Sequence, residues 1–203
     1  MKDIPNSKGR LVLTDVSIAR QDNIHYAFEI LLKALGADLT DNNFKDTASR
    51  CTKAWIEEFT IKPFNMTAFD EEPYNGMITL PAHEVNIRCP HHLERVKMIV
   101  GVSYVPRENK IIGLSKLARL ADHLSVGCIL QETYTRLLAD TLQRILSPEG
   151  CGVHTVAWHN CMSARGVKTR SPVMMKDLRG IYMHSPQTRQ EFLDDCSKHL
   201  YEV

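Results

Sequence analysis

The stretch VKMIVGVSYVP, residues 96–106, alternates along its length and is rich in β-branched side chains, which is the signature of a strand. RENK, residues 107–110, follows as a turn. Beyond it the period changes. GLSKLARLADHL (113–124) reads as a helix with Ser115 near its N-cap and Leu117, Leu120, Ala121 and Leu124 on its buried side. LQETYTRLLADTLQRIL (130–146) reads as a longer helix, with Leu130, Tyr134, Leu137, Leu138, Leu142 and Ile145 at helical spacing, closed by SPEGCG. VHTVAWHNCMSARG (153–166) alternates again as a strand, and SPVMMKDLRGIYM (171–183) is a further strand. SPQTRQEFLDDC (185–196) opens a last helix, with Ser185 capping and Pro186 at its first position. Upstream, residues 23–36 place Ile24, Phe28, Leu31, Leu32 and Leu35 at helical spacing before Gly36, where a left-handed C-cap is expected. Residues 46–59 repeat the pattern with Ala54, Trp55 and Phe59 toward a core, and Pro63 ends it. The periodicity shifts from helix to strand at about Glu84. We therefore expect a helical segment over 1–83 and an α+β domain over 84–203.

Composition limits what such a chain does. At 203 residues, 43% hydrophobic and 24% charged, it can bury a real core, and its formal net charge of +1 gives no overall field for nucleic acid or an acidic membrane surface. Any anionic ligand must be held by local basic groups. No apolar run approaches the length of a membrane span, and the opening MKDIPNSKGR lacks a hydrophobic segment after its charges, so a cytoplasmic protein is expected, with neither nucleic acid nor membrane as partner. The six cysteines are scattered without the density of a disulfide scaffold, which makes reduced thiols the default and metal binding their special use.

Immediately before the decisive strand stands RCPHHLERV, residues 88–96. A lone Cys-x-x-His pair is weak, but His159 and Cys161 in WHNCM form a second thiol–imidazole pair, at i and i+2 on the expected strand and leaving the same face. Cys89, His92 and Cys161 satisfy the count of an open zinc site, which keeps a fourth position for a water that the metal acidifies. His91 and His159 then stand beside the metal, suited to moving protons. The competing reading is a purely structural site with His159 an ordinary strand residue. In a fully extended strand Cys89 and His91 would share a face. A four-residue turn with Pro90 at its second position instead brings Cys89 and His92 together.

Basic groups supply the next clue. Lys116 and Arg119 lie one helical step apart after Gly113, Arg165 follows Cys161 by four positions, and Arg50 and Lys53 share a helix face. With Ser115 they could hold a polyphosphate, because guanidinium forks and helix N-termini suit phosphate oxygens. Residue patterns alone reach a metal-dependent hydrolase of a phosphorylated metabolite.

CPHHLERVKMIVGVSYVP, IIGLSKLARLA, LQETYTRLLADTL, HNCMSARGV and GIYMHSPQTRQEFL occur in the order and spacing of GTP cyclohydrolase I, which this chain resembles from residue 84 to its C-terminus and more loosely upstream. The resemblance implies a tunnelling fold: an antiparallel four-stranded sheet with two helices on one face, assembled into a decamer of two pentamers with active sites at subunit boundaries. It matches Cys89, His92 and Cys161 to zinc ligands and His91 and His159 to catalytic histidines. Gln131 and Glu132 match the pair that recognises guanine. Ser115, Lys116, Arg119 and Arg165 match residues around the ribose and triphosphate, and Arg50 and Lys53 resemble basic residues from a neighbouring subunit. The implied reaction uses Zn2+ and GTP, opens the imidazole ring at C8, releases formate and gives 7,8-dihydroneopterin triphosphate. That product serves folate, biopterin or 7-deazaguanine synthesis.

The chain departs from the family's usual pattern at four places. Pro90 replaces a glutamate, LERV lacks a proline, KTRSPVMMKDL replaces a Thr/Ser-rich stretch, and Ala48 replaces a proline. Two other readings stand beside the cyclohydrolase: a same-fold enzyme with a shifted purine nucleotide, and a non-catalytic zinc-stabilised ring. A nitrile reductase of this fold would need a reactive cysteine and a nicotinamide site in place of the zinc-type pairs.

Overall fold

The computed structural model describes residues 10–65, 68–69, 74–108 and 110–199, with backbone alone at 68–69. In chain order the elements are α1 (Ile18–Ala34), α2 (Thr47–Phe59), β1 (Ala68–Phe69), β2 (Ile78–Arg88), β3 (Arg95–Val105), β4 (Ile111–Ile112), α3 (Leu114–Ser125), α4 (Gln131–Leu146), β5 (Gly150–His159), α5 (Asn160–Ser163), β6 (Val173–Gly180), α6 (Ile181–His184) and α7 (Pro186–His199). Two compact units result, residues 11–62 and Arg10 with 63–199. No helix among the described residues is long and apolar enough to cross a membrane.

In the first unit, Ser17 caps α1 through its hydroxyl, and the Gly36 and Ala37 amides donate to the carbonyls of Lys33 and Leu32, with Gly36 at φ +86°. This closes the helix as expected, although α1 begins five residues before Asn23. Its apolar stripe is covered only in part: no residue of α1 is buried, Ile24, Phe28 and Leu32 are half-buried, and Leu31 and Leu35 are exposed. On α2 the inward residues are Ala48, Thr52 and Phe59, while Ala54, expected inside, is exposed. Phe28 meets Trp55 edge-on at 5.5 Å, and Trp55 stacks on Phe59 at 5.2 Å.

The second unit is built on one antiparallel sheet of order β2-β3-β5-β6. Alternation along β3 and β5 sends Val96, Met98, Val100, Val102 and Tyr104, with Cys151, Val153 and Ala157, to one face. There they pack on Leu117, Leu120, Ala121 and Leu124 of α3 and on Tyr134, Leu138 and Leu142 of α4. The buried Tyr134 hydroxyl donates to the Ala121 carbonyl at 3.0 Å and joins the two helices. This is the α+β arrangement expected, two helices on one face of a four-stranded antiparallel sheet. α7 covers part of the opposite face, where Phe192 meets Tyr182 edge-on at 5.6 Å and the Tyr182 hydroxyl lies 2.7 Å from that of Ser103. Ser185 caps α7 as expected, accepting from the Thr188 amide at 3.2 Å.

Two buried polar groups give measurable consequences. Arg10, 7% exposed, donates through Nη2 to the His123 carbonyl at 3.0 Å and reaches the Val126 carbonyl at 3.4 Å, closing the C-terminal end of α3. Arg10→Ala leaves those carbonyls without their buried donor, and urea unfolding should show a loss of about 2 kcal/mol. His154, on the α7-side face of β5, is 4% exposed, and its Nε2 has no partner among the described residues. Burial, with Lys176 adding repulsion, lowers its pKa from an ordinary 6.5 to about 4. Above pH 6.5 the imidazole is neutral folded and unfolded alike. Between 6.5 and about 4 the unfolded chain takes a proton that the folded one refuses, so stability falls as pH falls, at most by about 1.4 kcal/mol per pH unit. His154→Leu should therefore lose less stability than the parent between pH 7 and pH 5.

Candidate metal centre and active site

The connection from β2 to β3 forms the first half of the site. Arg88 pairs with Arg95 as the last rung of the ladder, and the Cys89 amide donates to the Glu94 carbonyl at 2.9 Å. Within that frame the Leu93 amide donates to the Cys89 carbonyl at 2.8 Å, with Leu93 at φ +57°. The turn is thus one residue longer than the four-residue turn expected from Pro90: it closes from the first residue to the fifth. It still gathers the pair, with Cys89 Sγ 4.0 Å from His92 Nδ1. His91 is exposed, and its ring stands edge-on to that of His92 at 6.3 Å.

The second half comes from the end of β5. Val96 pairs with His159, so the start of β3 and the end of β5 are side by side and the 89–94 connection abuts residues 159–161. The strand does not continue to Cys161, as the alternation suggested. Asn160–Ser163 make the helical turn α5, closed by the Ala164 amide on the Asn160 carbonyl at 2.9 Å. The donor atoms of Cys89, His92 and Cys161 all lie within 4.8 Å of one another.

That set fits zinc. A tetrahedral ion with Zn–S of about 2.3 Å and Zn–N of about 2.0 Å holds its donors roughly 3.5–3.8 Å apart, little less than the Cys89–His92 separation. Burial, and then the Cys89 sulfur, push the Cys161 thiol above its ordinary pKa, so an ion bound there would have to displace its proton.

His159 joins this cluster to the N-terminus of α4. Its Nε2 lies 3.0 Å from Oε1 of Gln131, which is 1% exposed. The Gln131 amide nitrogen donates to the Val173 carbonyl at 3.0 Å and to Thr155 Oγ1 at 3.1 Å, tying α4 to β5 and β6. Burial lowers the His159 pKa, and the Glu132 carboxylate pulls it partly back. A neutral imidazole able to accept a proton results. Glu132, exposed in the first turn of α4, also lines a cleft of about 310 Å³ with Thr135, Arg136, Met175, Lys176 and Asp177. The sequence reading missed the last five. Arg136 stands four residues after Glu132, a spacing that shares a helix face and could have flagged it.

The basic residues are spread more widely. On α3, Ser115 and Arg119 are exposed, whereas Lys116 is half-buried, its ammonium 2.6 Å from the Asn65 carbonyl and 5.6 Å from the Phe64 ring centre. Arg165 is exposed just beyond α5. Arg50 and Lys53 belong to the other unit, on exposed positions of α2, where Arg50 donates to the Asn43 carbonyl and the Thr47 hydroxyl.

Comparison with known proteins is consistent in direction. The family described as GTP cyclohydrolase I matches residues 24–197. A GTP cyclohydrolase 1 from Aquifex aeolicus is 34% identical over 175 residues, covering 85% of this chain and 95% of that protein. One from Sulfurihydrogenibium is 32% identical over 181 residues, covering 88% and 96%, and one from Geobacillus kaustophilus is 34% identical over 176 residues, covering 84% and 93%.

Proposed function

The chain belongs to the GTP cyclohydrolase I family, and we propose that it is a zinc-dependent hydrolase that opens the imidazole ring of GTP at C8, releases formate and forms 7,8-dihydroneopterin triphosphate. The observation that carries the reading is the convergence of Cys89, His92 and Cys161 from two separate elements, with the neutral His159 alongside. Zinc held by those three residues would supply Lewis acidity and bring water near it toward ionisation at neutral pH.

The remaining work falls to side chains. His159, kept neutral by burial, can take the proton of the attacking water and return one to N7 as the C8–N7 double bond is lost or to N9 as the C8–N9 bond breaks; His91, exposed on the 89–94 connection, can serve the partner step. Glu132 can accept from N1–H and the 2-amino group of guanine, donors that adenine does not present together. Ser115, Lys116, Arg119 and Arg165 would hold the ribose and triphosphate, for which Lys116 exchanges the Asn65 carbonyl for a phosphate oxygen.

We also read the working form as a ring of copies, a decamer of two pentamers. β2 and β6 end the sheet with open edges, and α1 with its C-cap exposes Ile18, Tyr26, Ile30, Leu31 and Leu35, surfaces that neighbouring copies would cover. Arg50 and Lys53 would then act in a neighbour's site.

The test is incubation with each of the four purine and pyrimidine nucleoside triphosphates, with products identified by mass. GTP alone should yield a pterin triphosphate that fluoresces after oxidation. A different purine nucleotide opened in its place, or a ring-opened product without closure, would displace GTP cyclohydrolysis as the function.

A further inference from the structure

The hydrogen bonds around Gln131 have a fixed polarity. Thr135 donates its hydroxyl proton to the Gln131 carbonyl, one helical turn back, at 2.8 Å. A threonine hydroxyl has one proton, so in the 2.9 Å contact between Thr135 and Thr155 the donor must be Thr155. Thr155 then has no proton left for Gln131, and what faces it at 3.1 Å is the amide NH2, which also meets the Val173 carbonyl at 3.0 Å. A flipped amide would set its oxygen against the Val173 carbonyl, the Thr155 carbonyl at 3.4 Å and a hydroxyl lone pair. Oε1 therefore points at His159, and the 3.0 Å contact is a bond in which His159 Nε2–H donates. No described residue hydrogen-bonds its Nδ1.

From this chain of donors we propose that Gln131 is a positioning residue: it fixes His159 as the Nε2–H tautomer, so that any proton His159 exchanges with substrate passes through Nδ1. This role stands beside the base contact that the resemblance implies for Gln131, since Oε1 takes one proton from His159 and keeps a second lone pair. The proposal rests on the reading of His159 as a proton-moving residue. Its source of order is Thr135 and Thr155, which hold the amide from behind. The arrangement makes a directional line from a helix backbone carbonyl, through two hydroxyls and an amide, to one ring nitrogen.

Neutron diffraction from crystals of the chelator-treated protein exchanged into D2O tests it without turnover. Deuterium is expected on Nε2 of His159, facing Oε1 of Gln131. Nε2 without deuterium, or density showing the Gln131 amide reversed, would overturn the proposal. Kinetics on the zinc-loaded protein separate positioning from base recognition. Gln131→Met should lower kcat for formate release by about 10²-fold with KM for GTP changed by less than about 3-fold. Thr155→Val should move kcat in the same direction by a smaller factor, and the double variant should resemble Gln131→Met alone. If the loss falls on KM instead, with weakened preference for GTP over inosine triphosphate, Gln131 reads the base and the proposal fails. A parent enzyme that releases no formate from GTP would refute the proposed function while the deuterium positions stayed readable. If Gln131→Met does not fold, the neutron density decides alone.

Discussion

Cys161→Ala is expected to abolish both stable zinc binding and formate release, the latter by about 10³-fold or more, while the sheet and α3–α4 remain folded. With Cys89, His92 and Cys161 as its protein ligands the site would have none in reserve, and a water on the ion would owe its ionisation near neutral pH to the ion's charge. Cys161 is half-buried on a four-residue helical turn and packs against the rim of the core rather than among its buried residues, so truncating it removes a donor more than a core contact. The Cys161 thiol is pushed up by burial and by Cys89, so ion and protons compete for the sulfurs, and zinc affinity should fall as pH is lowered. Cys51→Ser is the control. That thiol lies on α2, in the other unit, and zinc content should be unchanged. Metal analysis and circular dichroism on one preparation distinguish lost chemistry from lost fold.

The largest effect on stability is expected at Gly180, where β6 passes into α6. Its backbone sits at φ +56°, ψ −128°, a region open in practice only to glycine. A methyl group there would fall on the Glu149 carbonyl oxygen, and within 2.9 Å of the Gly150 Cα and the Glu149 carbonyl carbon, all of them backbone. Gly150 pairs with Gly180 across the sheet, and the Ile181 amide donates to the same Glu149 carbonyl at 3.1 Å, so the strand cannot step aside without breaking its ladder. Gly180→Ala should cost about 4 kcal/mol or prevent accumulation of folded protein. Gly36→Ala gives the contrast. That residue also has a left-handed φ, +86°, but a methyl group there meets nothing within 4 Å, and the cost should be about 1 kcal/mol. Equal losses at the two sites would mean that the close approach of the Glu149 carbonyl to Gly180 is not what fixes the glycine.

The two helices over the sheet were legible because their apolar residues recur at strict helical spacing; Leu117, Leu120, Ala121 and Leu124 are all buried as read. β2 was harder. It begins at Ile78, so a boundary at residue 84 falls inside it, and its first half contains Pro81, which argues against a strand in sequence. The structure accommodates that proline because β2 is an edge strand and its register against β3 shifts between Leu80 and His83, just where an amide is missing. At the site, residue types were visible but geometry was not. Alternation continues on paper through His159 and Cys161, whereas the strand gives way to a helical turn that aims Cys161 at Cys89. Gln131 shows a further limit. Its partners Thr155 and Val173 lie 24 and 42 residues away, and no local spacing links them.

The proposal that Cys89, His92 and Cys161 hold one zinc that serves hydrolysis of GTP is decided by measuring zinc per chain and formate released from GTP on the same purified protein, before and after chelation and after zinc is restored. About one zinc per chain is expected, with formate released in step with GTP consumed, loss of both on chelation and recovery of both with zinc. A protein that holds zinc in that amount and releases no formate from GTP would contradict it.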